Sequence, residues 1–125
     1  MGRVLLLESD MLLAGSVSQA LQRRGHFVDW HVELQAATNS ADKARPDIII
    51  LDLLLAGRSG VEFLYELRSY PDWQALPVII FSDVAPGELA QSLASLNDLN
   101  IAAYHHKRTT SLAQLTQSVD GILAR

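Results

Sequence analysis

The chain has no cysteine, so neither a disulfide framework nor a thiolate zinc site is available to it. It has no long hydrophobic run. The longest uninterrupted apolar stretches are four residues, as at Val4 to Leu7 and Ile48 to Leu51, against the roughly 20 that a membrane-spanning helix needs. The opening MGRVLLLESD meets an acid too early for a secretory signal. Basic charge is sparse: ten Lys and Arg face fourteen Asp and Glu, and only Arg23-Arg24 and Lys107-Arg108 are adjacent. No basic stripe can therefore track a phosphate backbone, and direct nucleic-acid binding is not expected. The four histidines lack metal-ligand spacing. Linkers, repeats and low-complexity segments are missing too, and 125 residues are enough for one core that buries roughly two thirds of the unfolded surface. These absences lead to an expectation of one domain over residues 1–125, in a reducing, cytoplasmic compartment, away from membranes.

What is present is an alternation of short apolar runs with helical spacing. The runs lie at Val4 to Leu7, Phe27 to Val32, Ile48 to Leu51, Val78 to Phe81 and Ile101 to Tyr104. Between them, Leu13, Val17, Ala20 and Leu21 line a first helix ended by Gly25. Leu34, Ala37 and Ala41 give a weaker second helix over Glu33 to Lys43. A third opens with Ser59 and Glu62 at capping-box spacing and buries Val61, Leu64 and Leu67. A fourth starts near Pro86 and carries Leu89, Leu93 and Leu96. The last follows Ser111, with Leu112, Leu115, Val119 and Ile122 on one face. Four of the strands are apolar on both faces, as in a parallel sheet covered on each side, while FVDWHV is mixed and suits an edge. The predicted fold is α/β: a doubly wound, five-stranded parallel sheet in the flavodoxin-like order 2-1-3-4-5. Its crevice opens at the carboxyl ends of strands 1 and 3.

Polar residues stand where those strands end: Glu8, Ser9 and Asp10 after the first, Asp52 after the third, Ser82 after the fourth and Lys107 after the fifth. Asp52 follows the most apolar run in the chain, where a carboxylate is costly unless something meets it. Acids gathered in one crevice repel unless a cation lies between them. A small hard ion such as Mg²⁺ suits two carboxylates, a backbone carbonyl and waters. Lys107 and such an ion are the candidates to meet the charge on Asp52.

The blocks LLLESD, PDIIILDLLLAGRSG, PVIIFSD and AAYHHK, in that order and at those intervals, resemble the four signature blocks of response-regulator receiver domains. The resemblance covers essentially the whole chain. It implies a phosphorelay switch rather than an enzyme, with at most weak turnover of an aspartyl phosphate. By position, Asp52 matches the phosphoacceptor and Glu8 the first of an acidic pair that organises Mg²⁺. Leu54 matches the residue whose carbonyl binds the metal, Ser82 the hydroxyl that bonds the phosphoryl oxygen and Lys107 the charge that pairs with it. Tyr104 matches the aromatic that moves inward on activation. The implied partners are a histidine kinase or phosphotransfer protein and a downstream protein docking on the fourth helix, fifth strand and last helix, with the domain acting alone. The apolar stripes of the last two helices serve either the core or a homodimer.

The chain departs from the pattern at three points. Ser9 stands where the second, metal-contacting acid usually lies, which weakens the expected Mg²⁺ site; Asp10 is a candidate to compensate through a water, or else starts the first helix and points along the rim. Ala56 replaces a common proline. Arg108 replaces the proline after the lysine, and since a non-proline cis bond costs ~2.5 to 4 kcal/mol, the Lys107-Arg108 bond is expected to be trans. Ser9 also reads as the N-cap of the first helix, His105 and His106 as a satisfied strand pair, and Trp30 and Trp73 as packing. A phosphorylation-independent interaction module is the competing function. A cofactor-binding flavodoxin-like or Rossmann protein fits less well, because ESDMLL offers acids where a phosphate cradle is needed. A topoisomerase-primase type Mg²⁺ enzyme would place a second acid where Leu54 stands.

Overall fold

Runs such as IIIL at residues 48–51 have no polar face to turn to water, so they are stable only with apolar cover on both sides. A computed structural model supplies that cover; it describes residues 2–55, 58–84 and 99–125, with residues 58 and 59 through their backbone alone. Five strands form one parallel sheet: β1 (Arg3–Leu7), β2 (Phe27–His31), β3 (Ile48–Leu51), β6 (Val78–Ser82) and β7 (Ile101–His106). Between β3 and β6 a two-residue antiparallel ribbon pairs β4 (Leu54–Leu55) with β5 (Arg58–Ser59). The helices are α1 (Met11–Arg23), α2 (Leu34–Lys43), α3 (Gly60–Ser69) and α4 (Leu112–Leu123). The sheet runs β2-β1-β3-β6-β7, which is the expected 2-1-3-4-5 order of its five strands. The helix expected from Pro86 falls outside the described residues, as does the Ser59 side chain of the expected capping box.

Alternate residues of the central strands feed two separate cores. Leu5, Leu7, Ile49, Leu51 and Ile80 pack with α2 and α3, while Val4, Leu6, Ile48, Ile50 and Ile79 pack with α1 and α4. All four residues of β3 are inaccessible to solvent, and burying each such side chain contributes ~1.5 to 3 kcal/mol. The mixed strand β2 lies at the edge, and the weak second helix buries Leu34, Ala37 and Ala41, as its sequence predicts.

Helix ends set where the site residues begin. Asp10, rather than the expected Ser9, is the N-cap of α1: its Oδ1 accepts from the amides of Leu12 at 3.0 Å and Leu13 at 3.2 Å. Both residue types can cap, and starting the helix at Met11 brings Ala14, Val17 and Leu21 onto the core. Gly25 ends the helix at φ 87°, a left-handed conformation that glycine adopts without strain. Ser111 caps α4 in a full capping box with Gln114. There is no cis peptide among the described residues, so Lys107-Arg108 is trans as expected, and Lys107–Thr109 forms a 3-10 turn. None of the described helices is long and apolar enough to cross a membrane.

Candidate functional site

Because β1, β3 and β6 are parallel and in register, with Leu7 opposite Leu51 and Leu51 opposite Ile80, the residues that follow them emerge together at the carboxyl edge. Glu8 and Asp52 are almost wholly buried, at 1% and 3% exposure. Lys107, arriving from the end of β7, lies between them. Its Nζ is 2.7 Å from Asp52 Oδ2, 2.8 Å from Glu8 Oε1 and 3.0 Å from Glu8 Oε2. Two carboxylates thus share one ammonium, and the cluster carries a net negative charge.

The second oxygen of Asp52 is also occupied. Oδ1 accepts from the Ser82 hydroxyl and from the Leu54 amide, each at 2.9 Å, and Ser82 is fully buried. The Asp52 amide donates to the Leu7 carbonyl at 3.0 Å, locking β3 to β1 next to the site. Gly60 permits the close approach of α3: a Cβ there would stand 2.8 Å from the Asp52 carbonyl oxygen and 2.8 Å from the Leu53 Cα. This requirement for glycine is invisible in sequence, since only the folded chain reveals which backbone lies opposite.

The two basic and acidic partners shift each other unequally. Burial raises the Glu8 carboxyl above its ordinary 4.5, and the Lys107 and Asp10 hydrogen bonds oppose this without cancelling it. Burial tends to lower Lys107, but its bonds to Asp52 and Glu8 outweigh that and leave it above 10.5. Burial thus governs the direction for Glu8, whereas for Lys107 the two carboxylates outweigh burial.

Glu8, Asp52, Leu54, Ser82 and Lys107 therefore come together. Asp10 takes another place: its carboxylate caps α1, and only its amide reaches the cluster, donating to Glu8 Oε2 at 3.1 Å. Ser9 is exposed. Tyr104 on β7 is partly buried against the core face of α2 and α3, with its hydroxyl oxygen shielded from solvent. His106 donates from Nε2 to the Asp83 carbonyl at 3.0 Å, tying the segment after Ser82 to β7. His105 corrects the expectation of a satisfied pair: its Nε2 is buried with no hydrogen-bond partner among the described residues, and burial lowers its basicity. The Trp30 indole is more than packing, since it donates to the Glu8 carbonyl at 2.8 Å. A tryptophan at a strand end could have signalled this, because its N–H needs a partner when buried.

In donor chemistry, two carboxylates and neighbouring backbone oxygens fit a hard cation. Ser9 offers a neutral hydroxyl in place of a third charge. Among the described residues no three acidic or histidine side chains gather as a ready metal cage.

Known proteins resemble this chain in sequence and in fold. The family model of the response regulator receiver domain matches residues 4–120. The KDP operon transcriptional regulatory protein KdpE of Escherichia coli K12 is 35% identical over 97 residues, covering 78% of this chain and 41% of KdpE. The chain thus spans about two fifths of that relative's length. Among solved structures, chemotaxis response regulator CheY4 of Vibrio cholerae superposes with a TM-score of 0.84 at 22% identity over 98% of both chains. The Mn²⁺-bound form of response regulator Rcp1 superposes at 0.77, with 24% identity over 98% of this chain and 91% of Rcp1. These likenesses of fold agree with the match along the sequence: the chain belongs to the response regulator receiver domain family.

Proposed function

We propose that Asp52 accepts a phosphoryl group from the phosphohistidine of a histidine kinase or phosphotransfer protein, and that the modified domain signals by docking other proteins. The observation that carries this reading is the convergence on Asp52: Lys107 Nζ lies 2.7 Å from Oδ2 and Ser82 Oγ 2.9 Å from Oδ1. In the transfer, a carboxylate oxygen of Asp52 forms a bond to phosphorus as the P–N bond of the donor breaks, and the leaving imidazole takes up a proton. Little covalent chemistry is asked of the protein beyond positioning and charge. Lys107 is held where it can neutralise a phosphoryl oxygen, and Ser82 can turn its hydroxyl from Asp52 to the new acceptor. That turn would draw on the Asp83 segment, which His106 tethers to β7. Through such a movement Tyr104 takes the role of switch.

Glu8, Asp52 and the Leu54 carbonyl would hold Mg²⁺, which supplies neutralisation of charge on the transferring group when bound. With Ser9 exposed and the Asp10 carboxylate in a helix cap, affinity for the ion is expected to be weak. The first turn of α1 exposes Met11 and Leu12, at 71% and 85%, and the ribbon exposes Leu54. This gives the chain beside Glu8 and Asp52 apolar side chains on which a protein donor can sit. Downstream docking is assigned to the side of β7 and α4, with the fourth predicted helix outside the described residues; a homodimer would use the same side. The domain is read as cytoplasmic, acting without direct contact to nucleic acid or membrane, with no catalysis beyond slow loss of its own phosphoryl group.

The test is intact mass after incubation with Mg²⁺ and a small phosphodonor such as acetyl phosphate. One phosphoryl adduct in the wild type, absent in Asp52→Asn, supports the reading. No adduct at saturating donor and ion overturns it and leaves the phosphorylation-independent module, the alternative to which Ser9 points.

A further inference from the structure

Glu8 is fixed at more points than its role as a counterion to Lys107 requires. Its amide donates to the His31 carbonyl at 3.2 Å, and its own carbonyl accepts from the Trp30 indole at 2.8 Å. Its Oε2 accepts from the Asp10 amide at 3.1 Å. Both backbone contacts come from the end of β2, an edge strand that otherwise lies away from the carboxylates. The Trp30 ring, paired in register with Leu6, is partly buried on the α1 side of the sheet. Phenylalanine could do that packing equally well; the indole N–H is what singles tryptophan out.

The residues beside Glu8 explain why that contact matters. Ser9 is exposed and uncharged, and the Asp10 carboxylate is spent on the cap of α1. Of the residues 8–10, Glu8 is thus the one whose carboxylate is turned to Lys107 and the Asp52 cluster. A site that relies on one carboxylate from this segment depends heavily on how narrowly that carboxylate is aimed. A hydrogen bond to its own carbonyl fixes the peptide plane from which the side chain departs. We propose that Trp30 is a positioning residue which sets the affinity of the site for a divalent cation by holding the Glu8 carbonyl. The use of that cation rests on the phosphoacceptor reading; the aiming of Glu8 does not.

Trp30→Phe keeps the ring and deletes the donor. Calorimetric titration of the unmodified protein with MgCl₂ should show about fivefold weaker binding in this variant, as expected for one neutral hydrogen bond. Trp73→Phe, remote from Glu8, should bind as the wild type does. That same variant leaves Trp30 as the sole indole of the chain, and its emission should change on adding MgCl₂ with the calorimetric midpoint. Glu8→Gln should abolish the change. Wild-type affinity in Trp30→Phe, or a Trp30 emission blind to Mg²⁺ that binds, overturns the proposal, and so does a wild type that binds no Mg²⁺ at tens of millimolar. A wild type that binds Mg²⁺ through Trp30-aimed Glu8 yet takes no phosphoryl group sustains the proposal and overturns the phosphoacceptor reading alone.

Discussion

The two ends of the sheet both join carboxylates to basic side chains, but in opposite proportions. At the carboxyl end, Glu8 and Asp52 share the single ammonium of Lys107, inside the protein. At the amino end, Asp120 of α4 takes the Arg24 guanidinium on Oδ2 and the His26 imidazole on Oδ1, each at 2.6 Å. His26 in turn accepts the Gly2 amide at Nδ1, 3.0 Å away, so its proton sits on Nε2 and points to Asp120. Here one carboxylate has all the donors it needs, and its side chain is 35% exposed. This end is a clasp that fastens β1, the turn after α1 and α4 to one another. Among the described residues the carboxyl end is short of positive charge, and a deficit of that kind is what an incoming cation or a change of charge can act upon. Satisfaction marks the clasp and imbalance marks the candidate site.

Removing the shared cation should have the largest effect on this contrast. Lys107→Met leaves two buried carboxylates uncompensated and is expected to cost about 3 to 5 kcal/mol at neutral pH, read as a drop in the urea midpoint. The penalty should shrink on acidification, because Glu8 already binds its proton more readily than an ordinary glutamate. In the wild type, the raised Lys107 contributes stability that is complete below pH 10.5 and lost as pH climbs through its folded value. The variant should lack that alkaline limb.

Adding an acid deepens the imbalance. Ser9→Asp should tighten Mg²⁺ binding by about tenfold, since carboxylate count tunes the affinity of hard-cation sites, while lowering the melting temperature of the metal-free protein. Unchanged Mg²⁺ affinity would show that residue 9 does not face the ion.

The smallest effect belongs to the clasp. Asp120→Asn should cost ~0.5 to 1 kcal/mol, since solvent reaches the pair. Its pH signature is the reverse of that of Lys107. Burial tends to raise Asp120, but the His26 and Arg24 bonds outweigh it and hold the carboxyl below 3.8. Its contribution is therefore complete above pH 3.8 and fades as pH falls through the lower folded value. Acid titration of the wild type should show this limb and the variant should not, while both retain phosphoryl uptake.

Much of this was legible before folding. The apolar runs located all five main strands to within two residues at either end, because a strand buried on both faces has no other way to be written. Leu34, Ala37 and Ala41 announced the buried stripe of α2, and the last helix was placed after Ser111, where α4 begins. The cap of α1 was harder. Ser9 and Asp10 are both competent, and the choice fell to Asp10 through the packing of Ala14, Val17 and Leu21. For the site, the ordered polar residues at strand ends named Glu8, Asp52, Ser82 and Lys107. They did not reveal that Trp30 would hold the Glu8 backbone, or that Gly60 must leave room for the Asp52 carbonyl.

By itself the sequence determined the alternation of strands and helices, the edge position of β2 and the polar residue offered at each strand end, since hydrophobic periodicity and capping act over a few neighbours. Only the tertiary structure decided which of those polar groups meet. Lys107 reaches carboxylates 99 and 55 residues away along the chain, and such encounters depend on parallel register and on which backbones approach closely. A linear pattern carries neither, because the forces that select them act across space between segments remote in sequence.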